Sequence, residues 1–322
     1  MKKYPLLLTP VSKQIIWGGD RLKREYGKVA DFDKIAESWE LSVRDNAMCA
    51  VKNGEYAGMP LGEYIDGDRL GALGKYAEKY DRFPLLIKFI DAADRLSIQV
   101  HPDNEYSLEH EGELGKTEMW YIIAADEGSK LVYGLKSGCT TEDFARAVAE
   151  DRTEEMLDFV EVHAGDVFFI PSGQVHAIGS GILIAEIQQN SDVTYRVYDY
   201  KRRQPDGSLR QLHTAKAIDV IKLRTEDEIN ALRYSVPAAE GGDVLASCEY
   251  FVTRRYAVDG KAELTAGENS FVSILVLEAE NGAIVCGGEN YPIAKGESWF
   301  VPAGCGDFSI TGKANVIVSE IN

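Results

Sequence analysis

The chain has 322 residues, with 35 Lys+Arg against 52 Asp+Glu for a formal charge of −17 at pH 7, and is 45% hydrophobic and 27% charged. That composition excludes a largely disordered chain, and the length allows one large domain or two, each able to bury a substantial core. So strong an acidic excess excludes a general nucleic-acid binder, which needs a basic surface against phosphates, but it leaves room for a small anion held by local charge.

In chain order, the start Met1-Lys2-Lys3-Tyr4-Pro5-Leu6-Leu7-Leu8-Thr9-Pro10 has only three leucines between two prolines. That is too short for an export signal, and no apolar run approaches the roughly 18 residues of a membrane span. Five scattered cysteines (Cys49, Cys139, Cys248, Cys286, Cys305) show no C-x-x-C spacing and read as free thiols. The expectation is a cytoplasmic protein with no membrane, nucleic-acid or obligate protein partner.

Short β-type runs broken by Gly, Pro and acidic turns dominate from there on, at 83–90, 96–100, 119–124, 130–133, 166–171, 182–188 and 194–198. Two stretches read as helical. Thr140-Thr141-Glu142-Asp143 is a capping box ahead of Phe144 and Val148, and 214–223 carries Ile218 and Ile221 in a helical pattern. The chain is therefore mainly β, with a few helices.

One string occurs twice. Gly165-Asp166-Val167-Phe168-Phe169-Ile170-Pro171-Ser172-Gly173 and Gly296-Glu297-Ser298-Trp299-Phe300-Val301-Pro302-Ala303-Gly304 share the form Gly, acidic, x, aromatic, Phe, apolar, Pro, small, Gly. A turn, a buried strand and a Pro-Gly turn make one unit of an antiparallel barrel, so two copies predict two barrels in tandem. The acidic segment 226–242 is the expected boundary, dividing a catalytic domain, 1–238, from a C-terminal β domain, 239–322. His176 stands three residues after the first string and Asp307 three after the second. The second barrel is therefore expected to lack a metal site.

The histidines that matter lie near strand ends. In Gln99-Val100-His101-Pro102, period-two alternation sends Gln99 and His101 to one face. Glu118 opens another strand, and His176 follows the barrel turn. Two imidazoles, a carboxylate and a weaker amide oxygen suit zinc or another borderline divalent ion, although two histidines and a carboxylate also describe an iron(II) oxygenase site. Gly115-Lys116-Thr117 imitates the end of a phosphate-binding loop, but His110 stands where that loop requires its first glycine.

Three long strings, Leu96-Ser97-Ile98-Gln99-Val100-His101-Pro102, Gly115-Lys116-Thr117-Glu118-Met119-Trp120-Tyr121 and Gln189-Asn190-Ser191-Asp192-Val193-Thr194-Tyr195-Arg196-Val197-Tyr198-Asp199, occur in that order. Together with Ile16-Trp17-Gly18-Gly19 they resemble the signatures of type I mannose-6-phosphate isomerases, over roughly residues 1 to 220. The resemblance is to the short bacterial branch, which lacks the helical domain inserted in longer members. It implies tandem cupin-type (jelly-roll) β-barrels and one Zn2+ per chain held by Gln99, His101, Glu118 and His176. It implies Arg196 as the catalytic arginine, Lys116, Glu186 and Asp192 as polar residues lining the site, and Ser97 near the substrate phosphate. The spacing from His176 to Glu186 departs by one residue from that of longer members.

The reaction so implied interconverts mannose 6-phosphate and fructose 6-phosphate by moving a proton between C1 and C2 through a cis-enediol. It needs an acid–base group and positive charge for the enediolate. Lys116 and Glu118 share a strand face by period two, so Lys116 is expected beside the metal, and the shuttle falls to Glu186 or Lys116. Arg196, Lys201, Arg202, Arg203 and Arg210 cluster in an otherwise acidic chain, which places Lys201 near the phosphate. Trp17 either covers one side of the pocket or packs in the core. An iron-dependent cupin oxygenase and a non-catalytic, sugar-phosphate-sensing cupin are the competing readings.

Overall fold

The strand Leu6–Thr9 decides the domain organisation: Leu6 stands opposite Phe300 and Leu7 opposite Trp299 in an antiparallel ladder, so the N-terminus is built into the sheet of the C-terminal region. In the computed structural model, which describes residues 2–235 and 242–322, the chain forms two compact units. One comprises 2–13, 21–89 and 242–322, the other 14–20 and 90–235. The units do not follow the sequential division expected at 238/239, a boundary that itself lies outside the described residues. A composition shift along the chain marks a boundary only when no distant strand crosses it. Among the described residues no helix is long and apolar enough to cross a membrane.

In the first unit the sheet runs Asp243–Ser247, Phe251–Ala266, Gly306–Ile321, Val272–Cys286, Ser298–Val301, Leu6–Thr9, Ala50–Val51, with Glu289–Pro292 beside Val272–Cys286. Phe251–Ala266 pairs with Gly306–Ile321 without a break over their full lengths. Three strands deform at one level: Gly260 (φ 105) faces Gly312 (φ 83), and the third strand bulges between Glu280 and Ala283. A side chain at Gly312 would meet the Asn281 carbonyl oxygen at 2.2 Å. Bulges and left-handed glycines at a shared level let a long sheet curl over its core, here built around Ile274, Val276, Trp299, Val316 and Val318.

The second unit layers two sheets. One runs Leu157–Glu161, Lys130–Leu135, His176–Ile178, Ile98–Val100, Tyr195–Tyr198; the other includes Arg233–Ser235, Asp166–Ile170, Glu118–Ala125 and Ile182–Gln189. The helix Thr141–Ala149 has the expected capping box, Thr140 with Asp143. Its buried Phe144 joins Ala217 and Val220 of the helix Thr214–Val220 over the outer face of the first sheet, formed by Ile98, Val100, Ala177, Tyr195 and Val197. The segment from 226, expected to hold the boundary, begins as the capped helix Glu226–Asn230 and continues as the strand Arg233–Ser235. Both copies of the repeated string adopt one local structure. Each holds a buried strand, Asp166–Ile170 or Ser298–Val301, between two left-handed glycines, Gly165 and Gly173 or Gly296 and Gly304.

Candidate metal centre and active site

One row of residues crosses the first sheet of the second unit. Gln99 stands opposite His176 on one side and Arg196 on the other. Side chains directly opposite in an antiparallel pair share a face. Because Ile98, Val100, Ala177, Tyr195 and Val197 fill the core beneath the helices, alternation turns Gln99, His176 and Arg196 to the inner face. His101 follows one residue past the strand, in phase with Gln99.

The other sheet supplies the acids. Glu118 is paired with Ile170 and Gln188, and Trp120, two residues on, with Phe168 and Glu186. The segment carrying Lys116 and Glu118 lies against the one carrying His101: the Lys116 amide donates to the Pro102 carbonyl at 3.0 Å. A side chain at Gly115 would come within 2.3 Å of the Asp103 carbonyl carbon. The Gly-Lys-Thr string thus marks a close approach of two backbones and forms no nucleotide loop.

His101, Glu118 and His176 are buried, with one ligand atom from each within 4.8 Å of the others. His101 Nδ1 donates to the Val193 carbonyl at 2.8 Å and His176 Nδ1 to the Gln174 carbonyl at 2.8 Å. Each ring therefore carries a proton on Nδ1 and turns its Nε2 to the centre. Those Nε2 atoms lie 3.8 and 3.5 Å from the two Glu118 oxygens. Burial lowers the His176 pKa to about 4, so this imidazole is neutral at physiological pH. Two imidazole Nε2 atoms facing a carboxylate are a donor set that suits a divalent cation, and the residues fit one. Among the described residues no second group of this kind forms. In the C-terminal repeat the residue at the position of His176, Asp307, accepts a hydrogen bond from Thr265 Oγ1 at 2.7 Å.

Around this centre Lys116 Nζ lies 2.7 Å from Glu118 Oε2 and 3.9 Å from Glu186 Oε1, and the Trp120 indole N–H donates to Glu186 Oε2 at 2.9 Å. Arg196 Nε donates to Ser97 Oγ at 3.2 Å and its Nη1 to the Gln211 carbonyl at 2.8 Å. Burial, then the neighbouring Arg210, lowers the Arg196 pKa from an ordinary value so high that the group stays charged. Arg202 and Arg210 both pair with the buried Asp199, at 2.5 Å each, so Arg202 is a fixed element and not a solvated loop residue. The fold thus gathers Gln99, His101, Lys116, Glu118, His176, Glu186, Arg196 and Ser97 in one unit.

Three further residues were expected at the site. Lys201 projects from the surface, its side chain 69% exposed, and pairs with Asp151, because Tyr200 and Lys201 both take left-handed backbone angles that turn the chain outward. Asp192 is exposed. Trp17 is buried, and its carbonyl accepts from the Asp94 amide at 3.0 Å. Sequence reasoning missed Trp120, although period two from Glu118 would have found it. It also missed the carbonyls of Gln174 and Val193, which leave no side-chain signal. Arg224 was missed as well; it holds Gln174 through Nη1 to Oε1 at 2.9 Å.

Two layered antiparallel sheets enclosing a buried His-Glu-His set that could hold a metal ion make a cupin-type site. Residues 6–127 match the family described as phosphomannose isomerase type I, catalytic domain, and 243–321 match mannose-6-phosphate isomerase, cupin domain. The first match takes in Gln99, His101, Lys116 and Glu118; the rest of the site is spanned by full-length relatives. The mannose-6-phosphate isomerase ManA of Bacillus subtilis is 39% identical over all of both chains, and that of Streptococcus mutans is 39% identical over 99% of this chain and 98% of its own. The crystal structure of a mannose 6-phosphate isomerase from Bacillus subtilis superposes with a TM-score of 0.87 at 34% identity, covering 99% of each chain. The chain belongs to the type I mannose-6-phosphate isomerase family, and its activity class is isomerase.

Proposed function

We propose that the protein interconverts mannose 6-phosphate and fructose 6-phosphate through a cis-enediol, in the cytoplasm, with one Zn2+ held by His101, Glu118, His176 and Gln99. The observation that carries this reading is the buried His101–Glu118–His176 set with Lys116 and Glu186 beside it and Arg196 on the same sheet face. Zinc bound there supplies positive charge to the sugar oxygens at C1 and C2.

The chain's own residues do the rest. Glu186 takes the proton from one carbon and returns it to the other. One of its oxygens is fixed by the Trp120 N–H, which leaves the second, on the Lys116 side, to move the proton. Lys116 presents its positive charge 3.9 Å from that second oxygen. Arg196 offers a rigid cationic fork to the enediolate, and Ser97, hydrogen-bonded to it, serves the phosphate. In this reading the phosphate falls to Ser97, and Arg196 is kept for the enediolate, while Lys201 pairs with Asp151.

The test measures fructose 6-phosphate formed from mannose 6-phosphate, first in chelator and then after zinc is restored. Turnover should vanish and return, and a folded, zinc-loaded sample without turnover would sink the proposal. In deuterated water the wild type should carry solvent deuterium into the sugar at C1 or C2. Glu186→Gln should lose that exchange while keeping its zinc; unchanged exchange would remove Glu186 from the proton path.

A further inference from the structure

Two thiols in the first unit play no part in the site. Cys286 ends the strand Val272–Cys286 opposite Phe308, and Cys305 immediately precedes the neighbouring strand Gly306–Ile321. Their Sγ atoms lie 3.4 Å apart across 19 residues of chain. A disulfide needs about 2.05 Å, so closure asks each side to move by well under 1 Å. The backbone on both sides can give. Gly287 and Gly288 follow Cys286, Gly304 and Gly306 flank Cys305, and all four hold left-handed angles. Open space surrounds the Cβ positions of Gly287, Gly288 and Gly306. The other thiols have different neighbours: Cys49 donates to the Trp39 carbonyl, and Cys139 lies against Thr140 and Met156.

We propose that Cys286 and Cys305 are a covalent modification site, a dithiol that closes to an intrachain disulfide on exposure to a low-molecular-weight disulfide such as oxidised glutathione. Cys305 is the more exposed of the two and reacts first. Its thiol gives up a proton to solvent, and the thiolate attacks one glutathione sulfur. That S–S bond breaks, and one glutathione leaves as a thiolate that takes up a proton. Cys286 then loses its proton and attacks the Cys305 sulfur, expelling the second glutathione in the same way. The protein loses two electrons and two hydrogens; oxidised glutathione becomes two reduced molecules.

Burial, then the contact with Cys286, pushes the Cys305 thiol up to about 12. Thiolate is therefore scarce and closure slow. A weakly acidic thiol is also a poor leaving group, so the bond once formed resists reduction. The pair works as a persistent staple and not as a fast sensor.

The test incubates the reduced full-length protein with excess oxidised glutathione at pH 8, titrates thiols in denaturant and maps unreduced tryptic peptides. Trypsin cuts at Lys295, between the two cysteines. The expected result is a fall from five free thiols to three, a Cys286–Cys305 cross-linked peptide, and a Tm raised by about 3–8 °C that reducing agent reverses. Cys286→Ser should stop at a glutathione adduct on Cys305, and Cys305→Ser should leave Cys286 unmodified; neither should gain stability. Five thiols surviving the incubation, adducts without a cross-link in the wild type, or a link through any other cysteine or chain would each overturn the proposal.

Discussion

At Glu118 one carboxylate faces two imidazoles and a lysine, so removing different neighbours should have separable effects. His176→Ala deletes a proposed ligand whose Nδ1 is fixed by the Gln174 carbonyl; bound metal and activity should be lost together, as read by metal analysis and turnover. Arg196→Ala touches no ligand, and should lower kcat by about 10²–10³-fold with metal content unchanged. Loss of metal in that variant would contradict its role. Trp120→Phe keeps the ring but removes the N–H that holds Glu186. Its kcat should fall by about 10–100-fold with KM and metal content near wild type, because a base left free to swing spends less time in reach of the carbon. The Trp120 ring also stands edge-on to His176 at 5.4 Å, so keeping an aromatic there separates the two contributions.

His101, Glu118 and His176 come from separate elements, and their meeting depends on how closely those elements approach. Gly115→Ala puts a methyl group 2.3 Å from the Asp103 carbonyl carbon, forcing the Lys116–Glu118 segment away from His101. Stability should drop by about 1–3 kcal/mol, with weaker metal affinity, measured by denaturant unfolding and metal titration. Thr140→Ala, which removes the cap of the remote helix Thr141–Ala149, should cost about 1 kcal/mol and leave metal affinity alone. The helix was legible beforehand because capping is a local affair, settled within four residues. The approach at Gly115 was not, because no residue near it in sequence records what lies opposite.

For the chain as a whole, an excess of 17 negative charges makes the arrangement of the cations matter. Asp199 gathers Arg202 and Arg210. Burial alone would raise its pKa, but the hydrogen bonds from Arg210 and Arg202 outweigh burial and hold it below the ordinary carboxylate value of 3.8. Its contribution is therefore complete above about pH 4 and is lost as pH falls through the lower folded value. Asp199→Asn should cost about 1–2 kcal/mol of unfolding free energy at pH 7, discounted for partial exposure. The gap from wild type should shrink below pH 4 in denaturant unfolding series, and a constant gap down to pH 2 would refute the assignment.

Features under short-range control were readable along the chain. Alternation placed Gln99 in phase with His101 and Lys116 in phase with Glu118. The twin glycine-flanked strings announced two equivalent strands, and the capping box announced a helix. Long-range pairing set the rest: Leu6–Thr9 joins the C-terminal sheet, Gln99 lies between His176 and Arg196, Lys201 turns away to Asp151, and Cys286 meets Cys305. Each of these depends on which strands become neighbours, and pairing is selected by the packing of the whole sheet against its core. A residue's phase along its own strand is local; the identity of the residue opposite is not.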